Sequence, residues 1–198
     1  MSLVSLPKIL AHSGDGSLNL FRIHPSVAKT FLAVVVPMSL IPPLMYAYAQ
    51  RYYPGEIAPL VVPPLTIGEL VLVGTVFFGI ELATVTLMAF YIQQLAESVG
   101  IRPRYSDAFT LAALAPIPLW LSTLALAVPS AWVTFLAVSV AWLGSVAIIR
   151  RGVRPLLGVD DDTKARRLAN AITLTGVATW VALMVVLNML LGMTFAYR

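Results

Sequence analysis

Five long apolar stretches set the pattern of this chain, at residues 31–49, 69–92, 108–128, 131–149 and 170–192. Each has close to the ~20 residues that a helix rising 1.5 Å per residue needs to cross roughly 30 Å of hydrocarbon. Polar residues gather between these stretches instead of recurring along one face. The pattern therefore predicts an all-α, polytopic integral membrane bundle of five transmembrane helices. Only Pro129-Ser130 separates the third stretch from the fourth. A proline there would break one continuous helix, so the pair reads as a tight antiparallel hairpin.

Lys and Arg then orient the bundle. Lys8, Arg22 and Lys29 precede the first span, Arg102 and Arg104 lie in the second loop, and Arg150, Arg151, Arg154, Lys164, Arg166 and Arg167 lie in the fourth. The opposite side holds only Arg51 and Arg198. Cationic loops stay in the cytoplasm, which puts the N-terminus inside and the C-terminus outside. Tyr46, Tyr48, Tyr52 and Tyr53, with Phe195 and Tyr197, fall where the first and fifth spans would leave the membrane, as interfacial rings do.

Composition agrees. Hydrophobic residues make up 59% and charged residues 11% of the chain, against about 25% charged in soluble domains. The 198 residues are read as one membrane domain, 1–198, with residues 1–30 as a short cytoplasmic segment. The formal net charge of +4 sits in loops beside the membrane. It therefore points to a bilayer with anionic headgroups as partner, with no nucleic acid. Arg150, Arg151, Arg154, Arg166 and Arg167 are the candidate headgroup contacts. Second copies or other membrane proteins are the remaining expected partners. With no cysteine, disulfides and thiolate metal sites are excluded. The opening residues lack the apolar core and small-residue cleavage site of a signal peptide, so none is expected.

In the fourth loop, Asp160-Asp161-Asp162-Thr163 precedes Lys164-Ala165-Arg166-Arg167. Acids ahead of bases suit a helix N-terminus, where a carboxylate meets free N–H groups and the positive dipole end. That cap is preferred to a divalent-cation site, because no further acid ligand is near in sequence. Ser106-Asp107 likewise reads as the start of the third span. Pro25 reads as a first helical residue ahead of the first span, and His12 and His24 as surface residues.

Glu81 is the sharpest chemical feature. It lies near the middle of the second span, where a carboxylate costs several kcal/mol unless it is protonated, paired or wetted. It is either a structural acid bonded across a helix interface or a binding site for a proton or cation. Proline interrupts two spans that run in the same direction, at Pro37 with Pro42-Pro43 and at Pro116 with Pro118. Each proline deprives a carbonyl four residues back of its N–H, and broken helices of this kind line central sites in transporters. Glu81, Pro37, Pro116 and Asn188 thus form the candidate intramembrane polar site, Asn188 being a possible partner for Glu81. Small residues at Thr75, Gly79 and Ala83, at Ala137, Ala141 and Ser145, and at Ala171, Thr175 and Thr179 predict close helix packing. The other aromatic residues are read as packing and lipid contacts.

No phosphate-binding glycine loop, HExxH, nucleophile elbow or Cys/His metal spacing occurs in the chain. No enzyme and no cofactor are therefore expected. The residues that could serve a lipid-acting enzyme, Asp107, Glu97 and His24, are scattered. A non-enzymatic scaffold or membrane-organising role, acting through helix faces and the basic cytoplasmic loop, is the first functional reading. A small transporter or channel with a polar cavity around Glu81 and the kinked first and third spans is the alternative.

Leu20-Phe21-Arg22-Ile23-His24-Pro25 ahead of the first span, Ala108-Phe109 followed by Ala115-Pro116 in the third, and the Pro129 hairpin carry a resemblance. With a short helix entering the fifth span and a brief outside tail, the chain resembles bacterial inner-membrane members of the YIP family, named after the eukaryotic Ypt/Rab-interacting membrane proteins. The resemblance covers essentially the whole chain. It implies five spans, a cytoplasmic N-terminus, a short exterior C-terminus and a multi-pass protein of the bacterial inner membrane. Eukaryotic relatives act in vesicle traffic with Rab GTPases through a longer cytoplasmic region, which here is only about thirty residues.

Single cysteines placed at Thr163 and at Ser130 of this cysteine-free chain should be labelled from opposite sides of the membrane, Thr163 from the cytoplasm. Labelling of both from one side would contradict the charge-based topology.

Overall fold

A computed structural model describes residues 26–54 and 65–196. They form five helices, α1 (Val27–Tyr52), α2 (Ile67–Ser98), α3 (Tyr105–Ala127), α4 (Ala131–Leu157) and α5 (Asp162–Ala196), with no strand among the described residues. All five are long and apolar enough to cross a membrane. Residues 1–25, with Pro25 and both histidines, and most of the first loop lie outside the described residues.

α1, α2 and α5 start ahead of their apolar cores, at side-chain caps. α1 starts at Val27, with the Ser26 hydroxyl accepting from the Lys29 N–H at 3.3 Å. α2 opens with a capping box, in which Glu69 Oε2 accepts from the Thr66 N–H at 2.6 Å while the Thr66 hydroxyl faces the Glu69 N–H. It stops at Gly100, whose φ of 82° favours a residue without Cβ. There the Ile101 N–H reaches back to the Ala96 carbonyl and the Gly100 N–H to that of Glu97, closing the last turn. α3 begins at Tyr105, so Ser106 and Asp107 lie in its first turn and not at its cap.

The fourth-loop acids behave as a cap. Asp161 Oδ1 accepts from the Thr163 N–H at 2.7 Å and the Lys164 N–H at 2.9 Å. Those two amides, Lys164 first, hold the Asp161 carboxyl below its ordinary range. α5 then runs unbroken from Asp162, so the expected short helix before the fifth span is its first turns. Its 35 residues span about 52 Å at 1.5 Å per residue, so they overrun the hydrocarbon.

Proline shapes α1 and α3. Ahead of Pro37 the chain widens to a π-turn over Phe31–Val35, with the Val36 N–H bonding the Phe31 carbonyl. The register shift absorbs the missing donor. The buried Ser39 hydroxyl also donates to the Val35 carbonyl at 2.7 Å. α3 breaks at Ala115-Pro116. Its first half packs on α2, α4 and the start of α1, and its second half on α4 and the later part of α1. Glycines receive the proline rings: a Cβ on Gly144 would lie 3.3 Å from Pro118, and one on Gly74 would lie 3.5 Å from Pro43.

The densest core lies at the arginine-rich end, around Phe109, Leu111, Val153, Leu168 and Ile172, and a small cluster of Leu65, Val73 and Leu191 closes the opposite end. α2 supplies the inner stripe: Val73, Phe77, Glu81, Val85, Ala89, Ile92 and Ala96 are its buried residues. This corrects one expectation. Thr75, Gly79 and Ala83 are exposed on the outer face of α2. The stripe at Ala137, Ala141 and Ser145 does turn inward, and Ala171, Thr175 and Thr179 are half-buried.

Leucine at Gly144 should overpack against Pro118 and lower stability by about 1–3 kcal/mol. Leucine at Gly79, where a Cβ meets nothing within 4 Å, should leave stability unchanged or slightly raise it. Thermal denaturation of both variants in detergent checks this, and equal melting would contradict the packing described.

Candidate functional site: a cavity around Glu81

Between the two packed ends, side chains from all five helices surround a cavity of about 180 Å³. α2 positions Glu81 on it, because the residue belongs to the buried stripe and not to the lipid face. Its side chain is only 7% exposed. The Trp120 indole N–H is directed at the carboxyl from α3, while the second oxygen, Oε2, has no hydrogen-bond partner among the described residues. Ser145 lines the same cavity from α4, is 3% exposed, and has an equally unpartnered hydroxyl. Leaving a buried polar atom unpaired costs about 1–3 kcal/mol, so two such atoms on one cavity are a costly arrangement for structure alone.

The break in α3 contributes directly. Ala112, Ala115 and Pro116 all border the cavity, and Pro116 has no N–H for the Ala112 carbonyl. Pro42 of α1 borders it as well. The expected meeting of Glu81 with a proline-broken span thus holds for Pro116.

Two expected members do not join. Pro37 is exposed on the outer side of α1 and is absent from the lining. Its ring sits outward because the wide π-turn rotates the following residues around the helix axis. Asn188 is exposed near the far end of α5, where its amide donates to the Met184 carbonyl of its own helix at 2.7 Å. It is not a partner for Glu81, since that internal bond satisfies the amide without a neighbour.

Sequence reasoning also missed three aromatic side chains. Trp120, Trp142 and Trp180 line the cavity, and Trp142 meets Trp180 edge to face with centroids 5.5 Å apart. A signal for them was present. Glu81, Trp120, Trp142 and Trp180 sit at a common depth, roughly 22–27 Å in from the helix ends at Ser98, Tyr105, Leu157 and Asp162, counting 1.5 Å per residue.

The basic residues have a different geometry. Arg150 and Arg151 near the end of α4, and Arg166 and Arg167 near the start of α5, are all exposed. Arg154 faces the turn between them: it pairs with Asp162 at 2.6 Å and donates to the Asp160 carbonyl at 2.9 Å. Gly158, with φ 66°, ends α4 beside it. Of the scattered acid residues, Glu97 is exposed, Asp107 is buried in the first turn of α3, and His24 lies outside the described residues. Among the described residues no group of three or more His, Cys, Asp or Glu could hold a metal ion.

Comparison with curated proteins and with solved structures gave no match. A family model described as the Yip1 domain matches residues 8–183. That match covers the greater part of the chain, including four of the five membrane-spanning helices and most of the last, and the chain therefore belongs to the Yip1 domain family of multi-pass membrane proteins.

Proposed function

We propose that this Yip1-family member acts without catalysis, as a membrane-organising scaffold of a bacterial inner membrane that gathers anionic headgroups at its cytoplasmic face. The observation that carries the reading is the arginine cluster at the α4–α5 end. Arg150, Arg151, Arg166 and Arg167 are exposed on two helices that pack against each other. They lie at similar distances from the connecting turn. Each arginine near an anionic surface contributes about 1 kcal/mol at physiological salt, so four on one rigid hairpin make a retained lipid contact.

Rigidity comes from the turn itself. The Arg154–Asp162 pair ties the end of α4 to the first turn of α5, and the Asp161 carboxylate caps that turn. Of the five arginines expected to meet headgroups, Arg154 is engaged by Asp162, and the proposal rests on the other four. Lipid-facing side chains such as Leu136, Val140 and Leu143 on α4 continue that surface into the hydrocarbon.

Replacing Arg150, Arg151, Arg166 and Arg167 together by glutamine should cut phosphatidylglycerol co-purification severalfold, read by native mass spectrometry from mixed anionic and zwitterionic membranes. Arg154→Gln should lower thermal stability and leave the retained lipid unchanged. Equal lipid retention by the fourfold variant and the parent would overturn the proposal.

A further inference from the structure

The Glu81 cavity unites a carboxyl and three indoles in a setting that has its own ligand chemistry. Glu81 is the titratable residue among the described residues that line it; no Lys, Arg, His, Asp or Tyr contributes from any of the five helices. A bound anion would meet a carboxyl with no neighbouring base. A hard metal cation wants roughly six to eight oxygen ligands, and this donor set is one carboxyl, hydroxyls and a proline-freed carbonyl within an apolar wall. A purely apolar guest would set an uncharged body against the Glu81 carboxyl and leave it without a counter-charge.

An organic cation answers each of these demands. Its charge faces the carboxyl, and its apolar body packs against Phe77 and Leu183. Trp120, Trp142 and Trp180 line the cavity, and indole is the strongest side-chain partner for an ammonium group. Size sets a limit. A cavity of about 180 Å³ is somewhat larger than the ~150 Å³ apolar cavity that accepts benzene. The guest is therefore of single-ring size.

We propose that this cavity is a binding site for a small hydrophobic organic cation, an aryl- or alkylammonium, held by Glu81 and surrounded by Trp120, Trp142 and Trp180. The site differs from the arginine cluster in place and in charge. Binding here requires neither transport nor headgroup contact, so the fourfold arginine variant should bind the cation as the parent does.

Phenyltrimethylammonium is the probe, since its charge does not change with pH, and tert-butylbenzene is its neutral isostere. The full chain, carrying Trp132→Phe to leave the cavity indoles as reporters, is titrated in zwitterionic nanodiscs while tryptophan fluorescence is followed. The cation should give a saturable change, and the neutral isostere should neither give one nor compete. Glu81→Gln should weaken binding by about tenfold or more, and Trp180→Leu should weaken it severalfold. A parent that shows no saturable change, or binds both isosteres equally, overturns the proposal even if Glu81→Gln fails to fold. Equal cation binding by a well-folded Glu81→Gln variant overturns it as well.

Discussion

In hydrocarbon, water cannot rescue a polar group, so a carboxyl at mid-span must be enclosed by protein. Few residues of the spans are fully buried: the buried share of the most apolar stretch is 22% in α2 and 6% in α5. An interior this narrow is a single stripe on each helix. The whole arrangement depends on α2 turning Val73, Phe77, Glu81, Val85 and Ala89 into the bundle together. If α2 were rotated by half a turn, Glu81 would meet lipid and the cavity would lose its acid.

Around that stripe, backbone irregularity does what side-chain size alone does not. On either side of the break at Ala115-Pro116 both halves of α3 contact α1 and α4, and the first half also leans on α2. Pro118 seats on Gly144, which allows the close approach. Tight packing at each end, around Phe109 and around Val73 with Leu191, leaves the middle open where Glu81, Ser145 and the indoles meet. Rigid ends and an open middle are also what permit unpaired polar atoms to persist, because local collapse would have to move whole helices.

Much of the architecture was legible before any coordinates. The five spans, the hairpin at Pro129, the Asp161 cap and the meeting of Glu81 with Pro116 all follow from apolar run length, proline chemistry and capping. Helix ends were less well read. Thr66-Ile67-Gly68-Glu69 is a capping box in plain view, and Gly100 a stop signal, but hydropathy alone cut α2 at residue 92. Orientation of faces was the weakest reading, for a physical reason. Lipid is as apolar as leucine, so inner and outer faces of a membrane helix do not differ in hydropathy. Thr75, Gly79 and Ala83 looked like an interface yet face outward, and the cavity tryptophans looked like packing. On α2 the mid-span carboxyl marked the inside, whereas the small-residue pattern did so on α4.

The most direct test is therefore a cysteine and spin-label scan along α2, from Val73 to Ala96, measuring collision with lipid-soluble oxygen. Accessibility minima at Val73, Phe77, Glu81, Val85, Ala89, Ile92 and Ala96 are the expected result. Minima at Thr75, Gly79 and Ala83, with Glu81 at a maximum, would contradict the account.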